Sequence, residues 1–567
     1  MEEGVSMVSE NTVETTEKGK RSLFLRIEDG FCVCCLVLLT LFPAAEAVAR
    51  IVFNTGIRGS SVLIIHFLLW VGMLAGMITT RQGEHLSIAL VQYFSGEALK
   101  ARIRTVTSLL SAFVVTAIAW TGPAFIRIGM MGKLITFIPD RVFALVIPLG
   151  YGVIACRFAR QSGLSGWKRI FPVLAIILGT AVSFPSIVKF IWEYDLPEWA
   201  FTLSDFFYLA AWQVKTAAVI CLLIAALAGT PLFVVMGGLV LILLAAAGSQ
   251  VDVVSTDIYS ALTNDNIIAI PLFTLVGFFL SESRAGTRLV ETFRSLFSWL
   301  PGGMIIATVI ICAFFTSFTG ASGVTILALG GILYSILSEH VTYPEKFSIG
   351  LLTSAGSIGL LFPPSLPLIL VGAMAQINVF HMFLGGLIPG LVLVIAVIIF
   401  GIFASVRVKI PVEPFDPKRA LRSLKGSALE ILLPFFLVVS YFTGFLSLVE
   451  IGGVAVIYIF ITEVLIHRDI PLSQVPGVFL KSVPIIGGVL AILALSQSLS
   501  FYIVDTNMPM ILADWMLETI SSKFIFLLLL NLSLLVVGCL MDIFSAILIV
   551  LPLITPLGMA YGIDPVH

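Results

Sequence analysis

Charge is what this chain has least of. Asp, Glu, Lys and Arg together make up 11% of its 567 residues, less than half the share usual in soluble domains. The 32 basic and 33 acidic side chains leave a formal net charge of −1, so no basic face is available and nucleic acid is not an expected partner. No GxxxxGK[ST] loop occurs, which removes the phosphate cradle that ATP hydrolysis needs. HExxH, a paired aspartate and a Ser/His arrangement at membrane depth are also missing, so the sequence does not describe an intramembrane enzyme. The cysteines number seven, and Cys32, Cys34 and Cys35 have no second half that would complete a metal site. All seven lie in or beside apolar runs, where Cys packs as a small hydrophobe. No cofactor is expected.

What the chain has is apolar surface. The apolar class reaches 59% and mean hydropathy is +1.09, more than one soluble core can hide. A lipid bilayer must be the solvent. The fold class expected is therefore an all-α polytopic membrane protein.

Runs long enough to cross a bilayer lie near 31–49, 61–79, 106–126, 142–158 and 171–191, after a polar tail over 1–25 with too little apolar surface to pack. Basic residues crowd before the first run (Lys18, Lys20, Arg21, Arg26), after the second (Arg81, Lys100, Arg102, Arg104) and after the fourth (Arg157, Arg160, Lys168, Arg169). The positive-inside rule then puts the N-terminus in the cytoplasm. The acidic, aromatic stretch 192–207 reads as an interfacial segment and marks a boundary. Three units follow: a first module over 26–160, a connecting span and interfacial segment over 161–213, and a second module over 214–567.

The second module repeats itself. Residues 228–239 align with 443–454 at an offset of 215, and Tyr343-Pro-Glu-Lys aligns with Asp564-Pro-Val-His at an offset of 221. Repeats over about 214–404 and 430–567 result, separated by the basic, Pro-containing linker 407–425. Inverted repeats of this kind characterise secondary transporters, whose binding site lies where the repeats meet. The second copy stops short of the segments that close the first, so a C-terminal truncation is expected.

Two stretches violate the pattern of an ordinary membrane helix. Phe315-Thr-Ser-Phe-Thr-Gly-Ala-Ser-Gly-Val-Thr325 sets five hydroxyls and two glycines in apolar surroundings. Ser354-Ala-Gly-Ser-Ile-Gly-Leu-Leu-Phe-Pro-Pro-Ser365 carries tandem prolines that cannot continue a helix. Non-helical backbone at membrane depth survives only inside protein or along a wet cavity, and the ends of half-helices bind anions or hard cations. The candidate substrate and ion residues are thus Thr319, Gly320, Ser322 and Thr325, then Ser354, Gly356, Ser357, Gly359, Pro363, Pro364 and Ser365. Asp542 joins them with Ser545, because an intramembrane carboxylate needs a partner or a cation. The offset of 221 sets Asp542 opposite Ala321. Ser496-Gln-Ser498 is a weaker polar cluster. Glu46 and Glu450 read as structural acids near span ends, and His66 as a satisfied core residue.

At these residues the chain resembles the tripartite ATP-independent periplasmic (TRAP) transporters. The large permease subunit is similar to 214–567 through Gly-Thr-Pro at 229–231, Ala269-Ile-Pro-Leu-Phe273, Phe318-Thr-Gly-Ala-Ser-Gly323 and Gly356 through Ser365. Gly386-Leu-Ile-Pro-Gly390, Met541-Asp542 and Gly562 through His567 also match. The small subunit is similar to the first module through Arg50-Ile-Val-Phe53 and Gly76…Arg81-Gln-Gly-Glu-His85, with Gly59-Ser60-Ser61 replacing the acidic residue usual there. The resemblance implies fused small and large permeases, with the small module a static scaffold and the large one an elevator-type module of helical hairpins and broken helices. It implies a Na⁺-coupled importer in the bacterial inner membrane, fed with a small organic acid by a periplasmic substrate-binding protein. Na⁺ would then be held by Ser322, Gly356 and Asp542, and a second Pro-Pro segment would be expected past the last residue. The competing reading is a Na⁺/dicarboxylate or citrate carrier that works alone.

Overall fold

A computed structural model describes residues 23–88, 96–135, 138–193, 195–340, 343–408, 414–520 and 522–567. The expected tail lies outside the described residues up to 22, and helix starts at Leu23 rather than after 25.

The first four apolar runs become α1 (Leu23–Phe53), α2 (Ser60–Gln82), α3 (Glu97–Ile128) and α4 (Asp140–Gln161). Among the described residues the strands are Lys133–Ile135 and Ile138–Pro139, a short antiparallel ribbon joining α3 to α4. The α4 helix packs against both α2 and α3, and α1 against α2. An ionic knot ties three of them at one end. Arg157 donates to both oxygens of buried Glu28 at 2.7 Å, and Arg81 reaches Asp29 at 2.6 Å and Glu28 at 3.2 Å. Two of the arginines counted for sidedness are therefore spent on helix packing.

The connection differs from expectation in two places. The fifth run is not one straight span: α5 (Ile170–Val182) and α6 (Phe184–Trp192) meet at 56°. Pro185 lacks a backbone donor, and the Ser183 hydroxyl donates back to the Gly179 carbonyl at 2.8 Å, so the helix turns there. Next, α7 (Glu198–Leu227) absorbs most of the expected interfacial segment and runs across positions 213 and 214 without a break. Nothing in that stretch interrupts a helix before Gly229, whose φ is 94°.

The second module begins with α8 (Leu232–Ala246), α9 (Val253–Leu262), α10 (Ala269–Glu282) and the amphipathic α11 (Ala285–Phe297). A tight hairpin follows, α12 (Gly303–Thr319) and α13 (Ser322–Ser335). Then come α14 (Glu345–Ile358) and α15 (Leu366–Met374), bent by 47° across the prolines, and α16 (Val379–Val408). The predicted linker is partly helical, as α17 (Pro417–Gly426), with Asp416 accepting from the Lys418 and Arg419 N–H groups as its cap. The chain continues through α18 (Ala428–Phe442), α19 (Leu448–Phe460), α20 (Val475–Asp505) and α21 (Met508–Thr519). A second hairpin ends it, α22 (Lys523–Leu540) and α23 (Ile543–Ala560).

The modules share one core. The α1 helix lies along α19 and α2 along α20. Glu450 is the N3 residue of a capping box with Ser447 and binds Arg50 at 2.6 Å across that seam. Glu46 accepts from Ser60, which shows what the serine does where the acidic residue is replaced. His66 is buried, with Nδ1 on the Val62 carbonyl at 2.6 Å and Nε2 on the Tyr259 hydroxyl at 2.8 Å.

Candidate functional site

The first hairpin turns in two residues. Gly320 takes φ of 65° and its N–H closes α12 on the Thr316 carbonyl at 2.9 Å, while Ala321 is extended and opens α13. A Cβ on Gly320 would stand 2.5 Å from Leu366 Cδ1 and 2.6 Å from Leu366 Cβ. Only glycine fits this tip, because both the backbone angle and the space forbid a side chain. Behind the tip three threonines form a hydroxyl chain. Thr316 donates to Thr325 at 2.9 Å, and Thr319 lies 3.0 Å from the same oxygen. All three are buried.

The broken helix is brought to this tip. Gly359 faces Thr316, where a Cβ would meet Thr316 Cβ at 2.7 Å, and Gly356 faces Ser322, with its notional Cβ 3.8 Å from Ser322 Cβ. Small residues on one element thus let the hydroxyl-bearing turns of the other approach. Ser322 has no hydrogen-bond partner for its hydroxyl among the described residues, and Ser365 stands at the N-cap position of α15 without capping it, its hydroxyl donating to the Leu360 carbonyl instead. The N-termini of α13 and α15 therefore open at one place, each with unpaired N–H groups and a positive end.

Other candidates sit differently. The cis pair Pro363-Pro364 lines an apolar crevice together with Phe273, Phe383, Leu437, Tyr441, Phe442 and Ile451. Ser354 and Ser357 are exposed and donate within their own helix, to Gly350 at 2.8 Å and to Ser354 at 2.9 Å. Asp542 is exposed, and its partner is a helix end. It accepts from Phe544 N at 3.0 Å and Ser545 N at 3.2 Å, with the buried Ser545 hydroxyl on its other oxygen. The second hairpin packs on α15 and α20 through Phe544 and Leu548. Among the described residues no hydrogen bond joins Asp542 to Ser322 or Gly356, and of the expected Na⁺ set Ser322 and Gly356 face each other.

Sequence reading passed over Asp257. This buried acid on α9 accepts from the Ser498 hydroxyl at 2.5 Å, which gives the Ser496–Ser498 cluster its role. Its neighbours Val254, Ile258 and Ala261 are buried, and an acid on the apolar face of a helix was the available signal. Beside it a cavity of about 450 Å³ is lined by Ser260, Asn264, Gln376, Gln497 and Ser500.

Paired half-helices, a hydroxyl-lined hairpin tip and at least ten apolar helices long enough to span a bilayer define a polytopic membrane permease. The profile of the Tripartite ATP-independent periplasmic transporter, DctM component, matches residues 216–567, and that of the DctQ component matches residues 39–169. The chain is 30% identical over 303 residues to the C4-dicarboxylate TRAP transporter large permease protein DctM of Pseudomonas aeruginosa, covering 53% of this chain and 70% of that one. It is 26% identical over 438 residues to the isethionate TRAP transporter permease protein DctMQ of Oleidesulfovibrio alaskensis, covering 76% of this chain and 65% of that one. The C4-dicarboxylate large permease of Vibrio cholerae is 29% identical over 363 residues. The chain belongs to the tripartite ATP-independent periplasmic transporter family and fuses its small and large permease components in one polypeptide.

Proposed function

We propose that this permease imports a small organic anion, coupled to Na⁺, after delivery by a periplasmic substrate-binding protein. One observation carries the reading: the Gly320 tip and the break at 359–365 are held against each other with two helix N-termini open between them. Those N–H groups suit a carboxylate or sulfonate. The carbonyls freed at Gly320 and the proline break, with the Ser322 and Thr319 hydroxyls, suit a hard monovalent cation. Relatives named for C4-dicarboxylates and isethionate support an anionic substrate. The two hairpins support repeat symmetry: Thr319 and Leu540 end the first arms, and Ser322 and Ile543 begin the second arms, each pair 221 positions apart.

In this reading the protein sits in the bacterial inner membrane with its N-terminus in the cytoplasm. The first module is the static scaffold along which the hairpin-bearing module moves. The test is uptake by proteoliposomes holding the full chain, given labelled C4-dicarboxylates or isethionate, with and without the purified binding protein and an inward Na⁺ gradient. Uptake should need both. Uptake without the binding protein would instead identify a carrier that works alone, and indifference to the gradient would remove Na⁺ coupling.

A further inference from the structure

Arg288, on α11, holds three carboxylates at once. Its guanidinium donates to Glu430 Oε1 at 2.6 Å, Glu463 Oε2 at 2.6 Å and Asp469 Oδ2 at 2.5 Å. Glu430 begins α18, and Glu463 lies in the π-helical turn Ile461–Ile466 that extends α19, so three distant elements converge. Neither glutamate exposes any of its surface. Three carboxylates against one guanidinium leave two negative charges unbalanced beside two fully buried glutamates, an arrangement that low dielectric penalises heavily.

The hydrogen bonds show where the balance fails. Glu430 Oε2 and Glu463 Oε1 are buried oxygens with no donor among the described residues. Asp469 is better served. Burial pushes its carboxyl up, but bonds from Arg288 and the Arg284 N–H outweigh this and hold it below the usual aspartate range. Glu463 and Asp469 accept from the same guanidinium, at 2.6 and 2.5 Å. Two carboxyl groups so placed attract only with a proton between them, as like-charged neighbours share one. The other groups facing the cluster are His467, whose Nε2 is 3.6 Å from Glu430 Oε1, and the Tyr458 hydroxyl, which donates to the Leu429 carbonyl at 2.9 Å. No group of three or more acidic, His or Cys side chains placed to hold a metal ion occurs among the described residues.

We propose that this cluster is a proton-binding site, with one proton held on Glu463 and shared toward Asp469 and Glu430. It does not depend on the transport reading above. Protonated, Glu463 becomes a donor and the cluster clasps α11 to α18 and α19. The clasp bears on the transport hairpin, because Gly286, half a turn before Arg288, packs on Leu329 and Phe315 with a notional Cβ 2.4 Å and 3.5 Å from them. Loss of the proton puts Glu463 and Glu430 in repulsion and loosens α11 from its seat.

Infrared titration of the full chain in lipid nanodiscs tests this directly. The carbonyl band of a neutral buried carboxyl should be present at neutral pH, vanish in Glu463→Gln, and persist in the control Glu291→Gln. Glu430→Gln relieves the repulsion, so in that variant the band should disappear at a lower pH than in the wild type. Glu463 should contribute a fall in melting temperature as pH rises above the ordinary glutamate value of about 4.3, because the folded state holds a proton that the unfolded chain gives up. In Glu463→Gln this fall should be lost. A wild-type spectrum without the band at neutral pH overturns the proposal even if no variant folds. So does a band that survives Glu463→Gln, or one that Na⁺ abolishes at fixed pH.

Discussion

Ala321 and Asp542 occupy matching corners of two hairpins 221 positions apart: each is the extended residue that opens the second arm, but only Asp542 brings a capping side chain. The carboxylate satisfies two backbone donors at the start of α23. Capping alone accounts for a stability cost of about 1 kcal/mol on removal. Two substitutions separate capping from charge. Asp542→Ser keeps a capping oxygen and loses the charge, whereas Asp542→Ala loses both. If Asp542 serves Na⁺, both variants insert but neither shows Na⁺-dependent uptake. Full uptake by Asp542→Ser would reduce Asp542 to a helix cap.

Gly320→Ala should be far more damaging than an ordinary glycine replacement. The new methyl would meet Leu366 at 2.5 Å on a backbone with φ of 65°. The backbone angle alone costs roughly 1–3 kcal/mol for a residue with a side chain. Uptake should drop at least tenfold, and Gly320→Ala with Leu366→Ala should recover part of it by removing the clash but not the strain. An uptake rate unchanged in the single variant would show that the tip is not held against α15 during transport.

How much of this was legible depended on where partners lie along the chain. Lipid-crossing runs are local signals, and so are Gly320 and Pro363-Pro364, because a breaker acts on its own helix. Pro185 was hidden because it interrupts an otherwise apolar run and the bend at Ser183 needs the fold to choose a direction. The α7 helix runs through the expected module boundary because acidic and aromatic residues describe an interface without ending a helix. The buried acids were the least legible. Asp257 meets Ser498 across 241 positions, and Arg288 meets Glu430 across 142. Before folding brings the partners together, the sequence shows at most an acid on an apolar helix face, as at Asp257, and not what it pairs with.

Thr325→Val tests the hydroxyl chain behind the first tip. Thr325 joins Thr316 at 2.9 Å and Thr319 at 3.0 Å, and all three are buried. Valine keeps the shape and strips both bonds, at about 1–3 kcal/mol for the partners left unpaired. If these oxygens position the Na⁺ ligands, the Na⁺ concentration for half-maximal uptake should rise about tenfold or more while substrate affinity at saturating Na⁺ stays near wild type. A Na⁺ dependence identical to wild type would assign the chain to packing alone.

Arg157→Ala should destabilise the scaffold more than loss of any exposed ion pair. Glu28 is 5% exposed and takes both 2.7 Å bonds from this guanidinium. Removing one partner of a buried pair costs up to about 3–5 kcal/mol, the full cost being reduced here by Arg81, which stays 3.2 Å from Glu28. Arg157→Lys cannot reproduce the two-pronged contact and should fall between. Thermal unfolding in detergent should show Glu28→Gln with Arg157→Gln more stable than Arg157→Ala. If the double variant is the weaker, the knot is held by something other than charge balance.

His85 predicts how the protein responds to acid. It lies just beyond α2, its ring against Phe233 and Phe158 at centroid distances of 4.7 and 5.9 Å. Nε2 meets the Thr80 hydroxyl at 2.7 Å, and Nδ1 is buried without a partner among the described residues. Burial pushes the imidazole down from the usual 6.5 to about 3. Below pH 6.5 the unfolded chain therefore takes up a proton that the folded chain refuses, so stability falls with pH until the folded imidazole itself titrates near 3. His85→Phe fills the aromatic pocket and removes this proton uptake. Melting temperatures measured between pH 7 and pH 4.5 should decline less steeply in the variant. Parallel declines would mean that His85 is solvated in the folded protein and that its aromatic neighbours do not exclude water.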